Sequence, residues 1–175
     1  MLILLPHTTI PRLAGWDSAM GLDEELSSSV TEFYGSRVWK HIHEKRSHQE
    51  LTAAETRELY TELFRYRLEN VLGYNRTLTI EMGNERGVPV YVLVFATDHD
   101  AGVRIMSSVF EQARKQAAEY RAEITERRER EELTKAGIRP LFELPNETPR
   151  HFETTHTEGS PSIPDWLMEH IISDI

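Results

Sequence analysis

The stretch Val90–Met106, VYVLVFATDHDAGVRIM, decides the fold because it joins a predicted strand to a predicted helix. Its first part is almost continuously apolar, as is typical of a strand in the middle of a sheet. Just upstream, NRTLTIEM alternates apolar and polar residues, and the turn sequence GNERG separates the two segments. Two such strands joined by a short glycine-bounded turn predict a β-hairpin whose second strand runs antiparallel to its neighbours.

The polar residues at the junction allow two interpretations. Thr97 can accept hydrogen bonds from first-turn amides, Asp100 follows three residues later, and acids are favoured at the positive end of a helix. The cluster is therefore predicted to be a helix cap. A ligand site is the alternative, because loops at the carboxyl ends of strands bind ligands in α/β sheets. An antiparallel strand, however, would place this loop at the opposite edge from a parallel-sheet cleft. The cluster consists of Thr97, Asp98, His99 and Asp100.

One strand and three helical segments precede the hairpin. MLILLP is a run of branched apolar residues closed by proline, which predicts a buried strand. Helices are predicted from about Asp23 to Gly35, behind Ser36, and from a capping box at Thr52 and Glu55 to Gly73. The last of these helices has an apolar stripe at helical spacing, formed by Tyr60, Leu63, Phe64, Leu68, Val71 and Leu72.

A long helix is predicted over residues 97–136. Its apolar residues are spaced alternately by three and four positions, which is the pattern of a heptad seam. A seam on so long a helix could mediate homo-oligomerisation. The seam residues are Val103, Met106, Phe110, Ala113, Ala117, Tyr120 and Ile124.

Residues 137–175 are predicted to form an acidic tail. From Gly137 onward there are seven acids and two arginines, so −5 of the total charge of −9 lies here. The stretch 145–163 is polar and proline-containing and is predicted to be a separable linker. A short amphipathic helix is predicted over 164–174. Its apolar residues could dock into a partner's groove or cover this chain's own core, and these residues are Trp166, Leu167, Ile171 and Ile172.

Composition and motifs exclude several function classes. The 175 residues include no cysteine, so disulfides and cysteine-based zinc sites are excluded, and a cytoplasmic location is expected. The net charge of −9 does not support nucleic-acid binding, and the longest apolar run is too short to span a membrane. The spacing of His41, His43 and His48 does not match a zinc-protease helix, so no metal site is predicted. No phosphate-binding or nucleophile-elbow motif occurs, and the catalytic residues are unknown.

The order of the segments resembles the C-terminal half of the three-Cys-motif partner proteins, a prokaryotic family with a methyltransferase-like fold. Four stretches carry the resemblance: LLPHTTIPR at 4–12, EFYGSRVWK at 32–40, YRLENVLGY at 66–74, and EMGNERGVPVYVLVFATDHDAGVRIM at 81–106. The positions that match family motifs are Pro6, Ile10, Arg12, Gly35, Trp39, Asn84, Gly87, Thr97, His99 and Gly102.

The resemblance implies an α/β fold that is the back half of a Rossmann-like methyltransferase domain. Residues 1–136 would supply one parallel-type strand, an antiparallel hairpin, flanking helices and the long helix 97–136. The loops that grip S-adenosylmethionine in this fold would precede residue 1, so no cofactor-binding residue is expected here and the chain alone should be inactive. The cofactor would bind only if an upstream half were supplied, and the implied partner is a three-cysteine-motif protein of radical-enzyme type. The alternative is a non-catalytic protein-interaction module or a truncated remnant.

Overall fold

The computed structural model describes residues 1–6, 24–84, 89–136, 156–157 and 159–174. The strands are β1 (Leu2–Pro6), β2 (Arg76–Gly83), β3 (Pro89–Thr97) and the two-residue β4 (His156–Thr157). The helices are α1 (Glu24–Tyr34), α2 (Trp39–Ser47), α3 (Ala53–Tyr66), α4 (Asp100–Lys135) and α5 (Asp165–Ser173), and a π-helical turn, Arg67–Val71, extends α3. None of the helices in these ranges is long and apolar enough to cross a membrane.

The protein is a mixed α/β structure around an antiparallel sheet with the strand order β1-β3-β2-β4. The predicted hairpin is confirmed, since β2 pairs with β3 from Arg76–Thr97 to Gly83–Pro89, with a bulge near its turn. The predicted antiparallel direction of β3 is confirmed on both sides, because β3 also pairs antiparallel with β1. Among the described strands no pair is parallel, so β1 has only an antiparallel neighbour.

The two faces of the sheet carry two separate apolar clusters. On one face, Val92, Val94 and Ala96 of β3 pack with α1, α2, α3 and α5 in the main core. On the other face, Leu78 and Ile80 of β2 pack under Phe110 of α4. The main core consists of Leu5, Val30, Tyr34, Val38, Trp39, Ile42, Tyr60, Leu63, Phe64, Leu68, Val92, Val94, Ala96, Leu167 and Ile171.

Strand β1 differs from the predicted buried strand, because it is buried on one face only. Leu5 points into the main core and is 1% exposed, whereas Leu2 and Leu4 are 55% and 50% exposed. Successive side chains of a strand point to opposite faces, and α4 covers the second face at β2 and β3 but leaves these two leucines open. The continuous apolar run therefore marks a strand with an exposed apolar face.

Helix α3 begins and ends as predicted, but its apolar stripe stops early. Both arms of the capping box are present, with Thr52 Oγ1 accepting from the Glu55 amide and Glu55 Oε2 accepting from the Thr52 amide. The first four stripe residues are buried, but Val71 and Leu72 are exposed. The π-helical turn inserts an extra residue into the helix and rotates the following side chains away from the core. Gly73 ends the segment with a φ of +79°.

The terminal helix α5 is part of the main core, which settles the open alternative for its apolar face. Leu167 is fully buried and Ile171 nearly so, and Trp166 packs against the same cluster. Ile172 points outward and is 67% exposed. Residues 159–174 therefore do not form a tail that lies apart from the body. The remainder of the predicted linker, residues 145–155 and 158, lies outside the described residues.

Helix α4 is a single long helix, as the heptad pattern predicts, but its 36 residues begin at Asp100 and not at Thr97. Its length is about 54 Å at about 1.5 Å per residue. Val103, Met106 and Phe110 pack on the sheet, so the first turns of the seam are occupied by the chain itself. Further along, Ile124 is buried and Tyr120 is exposed. Homo-oligomerisation through this seam stays a prediction.

Candidate functional site

Among the described residues, the most buried charged side chain belongs to an ion pair inside the body, which the sequence analysis missed. Arg65 of α3 is 0% exposed, and its Nη1 lies 2.8 and 2.9 Å from the two carboxylate oxygens of Glu62. Glu62 is also buried. A charge pair taken out of water is stable only when its remaining donors and acceptors are also satisfied.

Two further segments satisfy this ion pair. From β2, Thr77 Oγ1 accepts from Arg65 Nε at 2.9 Å, and Glu69 Oε1 in turn accepts from that hydroxyl at 2.6 Å. From the C-terminal segment, the Gly159 carbonyl accepts from Arg65 Nη2, and the Ser162 amide donates to Glu62 Oε2 at 2.7 Å. The pair thus holds the main chain of residues 159–162 against α3.

The sequence contained a weak signal for this site. Glu62 and Arg65 are spaced as i and i+3 on a charged helix, which is the pattern of an ordinary solvated pair. Thr77 and Thr79 are more informative, because they share the face of the sheet that β3 fills with Val94 and Ala96. Two buried threonines on an apolar face indicate a polar group packed above them.

The residues matched to the family motifs do not converge on one site. Thr97, His99 and Gly102 lie at one end of the sheet, and Pro6 and Asn84 lie near the opposite end. Two more motif positions, Gly35 and Trp39, belong to the helical layer on the main-core face. The remaining three, Ile10, Arg12 and Gly87, lie outside the described residues.

The junction between β3 and α4 is built differently from the predicted helix cap, because Thr97 is not the N-cap residue. The N-cap residue is His99, and its side chain makes no capping hydrogen bond. Thr97 Oγ1 instead accepts from the His99 amide at 3.2 Å and leaves no room for a side chain at Gly102. Asp98 binds the loop before β2, since its Oδ1 accepts from the Asn75 amide at 3.2 Å. These contacts tie the junction to the loop before β2, and His99 and Asp100 are exposed.

Gly35 and Trp39 have structural roles in the turn between α1 and α2. Gly35 has a φ of +62°, and its carbonyl accepts from Arg67 Nη2 at 3.0 Å. Trp39 is fully buried, and its Nε1 donates to Thr31 Oγ1 at 3.0 Å. Both motif residues therefore hold the α1–α2 turn in the main core.

Substituting Gly35 with alanine should destabilise the protein more than the same change at Gly73. Both glycines have positive φ, which costs a residue with a Cβ about 1–2 kcal/mol. At Gly35 the new Cβ would also lie 2.5 Å from Arg67 Nη2, whereas nothing lies within 4 Å at Gly73. Loss of the Arg67 hydrogen bond should add about 0.5–1.5 kcal/mol. Urea denaturation of both variants measures the difference, and equal losses would show that the Arg67 contact contributes nothing.

Helix α5 meets α2 through a pair of stacked imidazoles. The ring centroids of His41 and His170 lie 3.6 Å apart, and the angle between the two ring planes is 4°. Nearby, the Lys45 ammonium lies 5.0 Å above the Trp166 ring. Burial and the neighbouring His170 lower the pKa of His41, while Glu44 and Asp174 partly oppose that shift. This contact is therefore most favourable when the His41 imidazole is neutral.

Stability should decrease as the pH falls from about 7 towards 5. A lowered pKa in the folded state means that the unfolded chain, with an ordinary histidine pKa of about 6.5, binds the proton more readily. Above the folded-state and unfolded-state pKa values, His41 therefore contributes nothing to the free energy of unfolding. Below both values its contribution is unfavourable. Urea denaturation across this range should show a weaker pH dependence for His41→Gln. Burial also lowers the pKa of His43, so part of the dependence should remain. His48→Gln, at an exposed side chain, is the control, and an unchanged slope in His41→Gln would contradict this account.

The described residues include no group of three or more histidines, cysteines or carboxylates that could hold a metal ion.

Comparison of the chain with protein-family models, curated proteins and solved structures gives no match. The resemblance to the three-Cys-motif partner family thus stays a prediction that depends on the quoted motifs.

Proposed function

We propose that this chain is the C-terminal part of a methyltransferase-like protein of the three-Cys-motif partner kind, which a further polypeptide segment completes along the outer edge of β1. The observation that carries the proposal is the edge position of β1 together with the exposure of Leu2 and Leu4. An apolar edge strand is a template for another strand and is usually covered.

The hydrogen-bonding register defines what this edge offers. Met1 and Ala96 exchange two hydrogen bonds, with the Met1 amine donating at 2.7 Å and the Ala96 amide donating at 2.9 Å. Facing residues of an antiparallel pair alternate, so Ile3 and Leu5 also bond inward, and Leu2 and Leu4 direct their main-chain groups away from β3. No described strand pairs with that edge. A strand added there would form main-chain hydrogen bonds with Leu2 and Leu4. It could also pack against the two exposed leucine side chains.

The strand order also supports this proposal. The resemblance implies that the back half of the sheet consists of one strand followed by a hairpin. Here β1 is that strand, and β3, the second strand of the hairpin, lies antiparallel beside it. The added segment would bring the earlier strands and the loops that hold S-adenosylmethionine. The three-cysteine-motif protein would then be the partner of the completed domain.

A non-catalytic interaction module is the second candidate. Helix α4 favours it, because Ile105, Val109 and Tyr120 are exposed apolar residues on a helix longer than a small domain is wide. In that case the sheet edge and the helix would bind another protein, and no chemistry would follow.

Calorimetry with S-adenosylmethionine tests the proposal. The chain is titrated alone and after mixing with the N-terminal half of a complete family member. We expect saturable binding of the cofactor only in the mixture, and loss of assembly with Leu4→Asp. The matched control is Leu72→Asp, at a leucine that is 66% exposed away from the sheet edge.

Three results separate the candidates. Cofactor binding by the chain alone would contradict the division of the domain. Assembly without cofactor binding would favour the interaction module. Failure to assemble would exclude completion along β1.

A further inference from the structure

We propose that the cleft formed by α2, α3 and the outer edge of β2 is a peptide-binding site whose resident ligand is this chain's own segment 156–174, and that the same segment from a second copy of the chain can replace it. This inference goes beyond the proposed function and does not depend on it. The segment contacts the body in three ways: as a strand, through its main-chain polar groups, and as a helix with apolar anchors.

Buried charges recognise the main chain of the segment. Arg65 donates to the Gly159 carbonyl, and Glu62 accepts from the Ser162 amide. With the segment in place Arg65 and Glu62 are 0% and 4% exposed, and without it each would lose a main-chain partner. Leaving such groups unsatisfied is costly, so the cleft favours an occupant that supplies one carbonyl and one amide.

The flanking contacts give the site its direction and specificity. On one side, β4 adds to the outer edge of β2, pairing Thr157 with Thr79 and His156 with Ile80. On the other side, Leu167 and Ile171, four residues apart on α5, enter the main core. Strand addition followed by an amphipathic helix combines two common modes of peptide recognition. The matching ligand is a short strand, a Gly-Ser-Pro-Ser turn and a helix with apolar residues at i and i+4.

The connection to the rest of the chain permits exchange between copies. Residues 137–155 join α4 to the segment, and a chain of that length can span about 60 Å when extended. This reach is several times the radius of gyration of a small domain, which is about 13–16 Å. A second copy can therefore deliver its segment to this cleft while it keeps its own body folded, as in domain swapping.

The test uses the whole chain with a protease recognition sequence inserted after Glu147. After cleavage, the C-terminal fragment should remain bound and co-elute with the body. A fluorescent peptide of residues 156–175 should then displace the fragment, which is followed by fluorescence anisotropy and size-exclusion chromatography. The control substitutions are placed in the peptide only, so the body of the protein is the same in every measurement.

Two variant peptides give the expected contrast. The peptide with Leu167→Asp should lose at least ten-fold in affinity, because its aspartate would enter the main core. The peptide with Ile172→Asp should displace the fragment as well as the unmodified peptide does, because Ile172 is exposed. Loss of the fragment on cleavage without peptide rebinding would overturn the proposal. A fragment that never exchanges, or equal displacement by both variant peptides, would overturn it too.

Discussion

Arg65→Ala should destabilise the protein by about 3–5 kcal/mol, the usual cost of removing one partner from a buried ion pair. The substitution leaves the Glu62 carboxylate buried without its counter-ion. It also removes the guanidinium donors that bind Thr77 Oγ1 and the Gly159 carbonyl. Urea denaturation followed by circular dichroism measures the change, provided that the slope of the transition is similar in both proteins.

The matched control is Arg130→Ala. Arg130 also pairs with a glutamate on its own helix, Glu126, but both side chains are largely exposed. Exposed pairs of this kind contribute about 0–1 kcal/mol. If the two variants lose the same stability, the buried pair would be no more than a second surface pair, and the proposed peptide site would lose its polar basis.

Leu167→Ala should cost about 2–5 kcal/mol, because it opens a cavity where a leucine is completely buried. The neighbouring substitution Ile172→Ala removes an exposed side chain of the same size from the same helix and should change stability by no more than about 0.5 kcal/mol. Thermal and urea denaturation of both variants distinguish a terminal helix that belongs to the core from one that is an appendage. Two small and equal effects would favour the separable tail that the sequence predicts.

Local signals predicted most of the secondary structure. The capping box at Thr52, the glycines after α1 and after the π-helical turn, and the alternation in β2 each depend on residues close together in sequence. These signals placed the helices and the hairpin, including the direction of β3. Their error at Val71 and Leu72 has a local cause, because helical spacing assumes 3.6 residues per turn and the π-helical turn does not keep that spacing.

Contacts between distant parts of the chain could not be predicted in this way. Glu62 accepts a hydrogen bond from the Ser162 amide, which is 100 residues away in sequence. The sequence around either residue carries no pattern that predicts this contact. The same is true of α5, whose amphipathic pattern fits a partner's groove as well as its own core. For Thr97, the sequence contained the right residue types for a cap, but β3 continues through Thr97 and the helix starts three residues later.

The pairing of β1 with β3 has a consequence for synthesis of the protein. Leu2 faces Phe95, so about 90 residues must be added after β1 before its partner exists. At about 5–20 residues per second, the ribosome needs roughly 5–18 s to produce that partner. During this interval Leu2, Leu4 and Leu5 belong to a nascent chain whose central strand has not yet been made. Strand β1 can pair only after the hairpin has formed. A mutation that delays hairpin formation should therefore reduce the soluble yield in cells even if the melting temperature of the purified protein is unchanged.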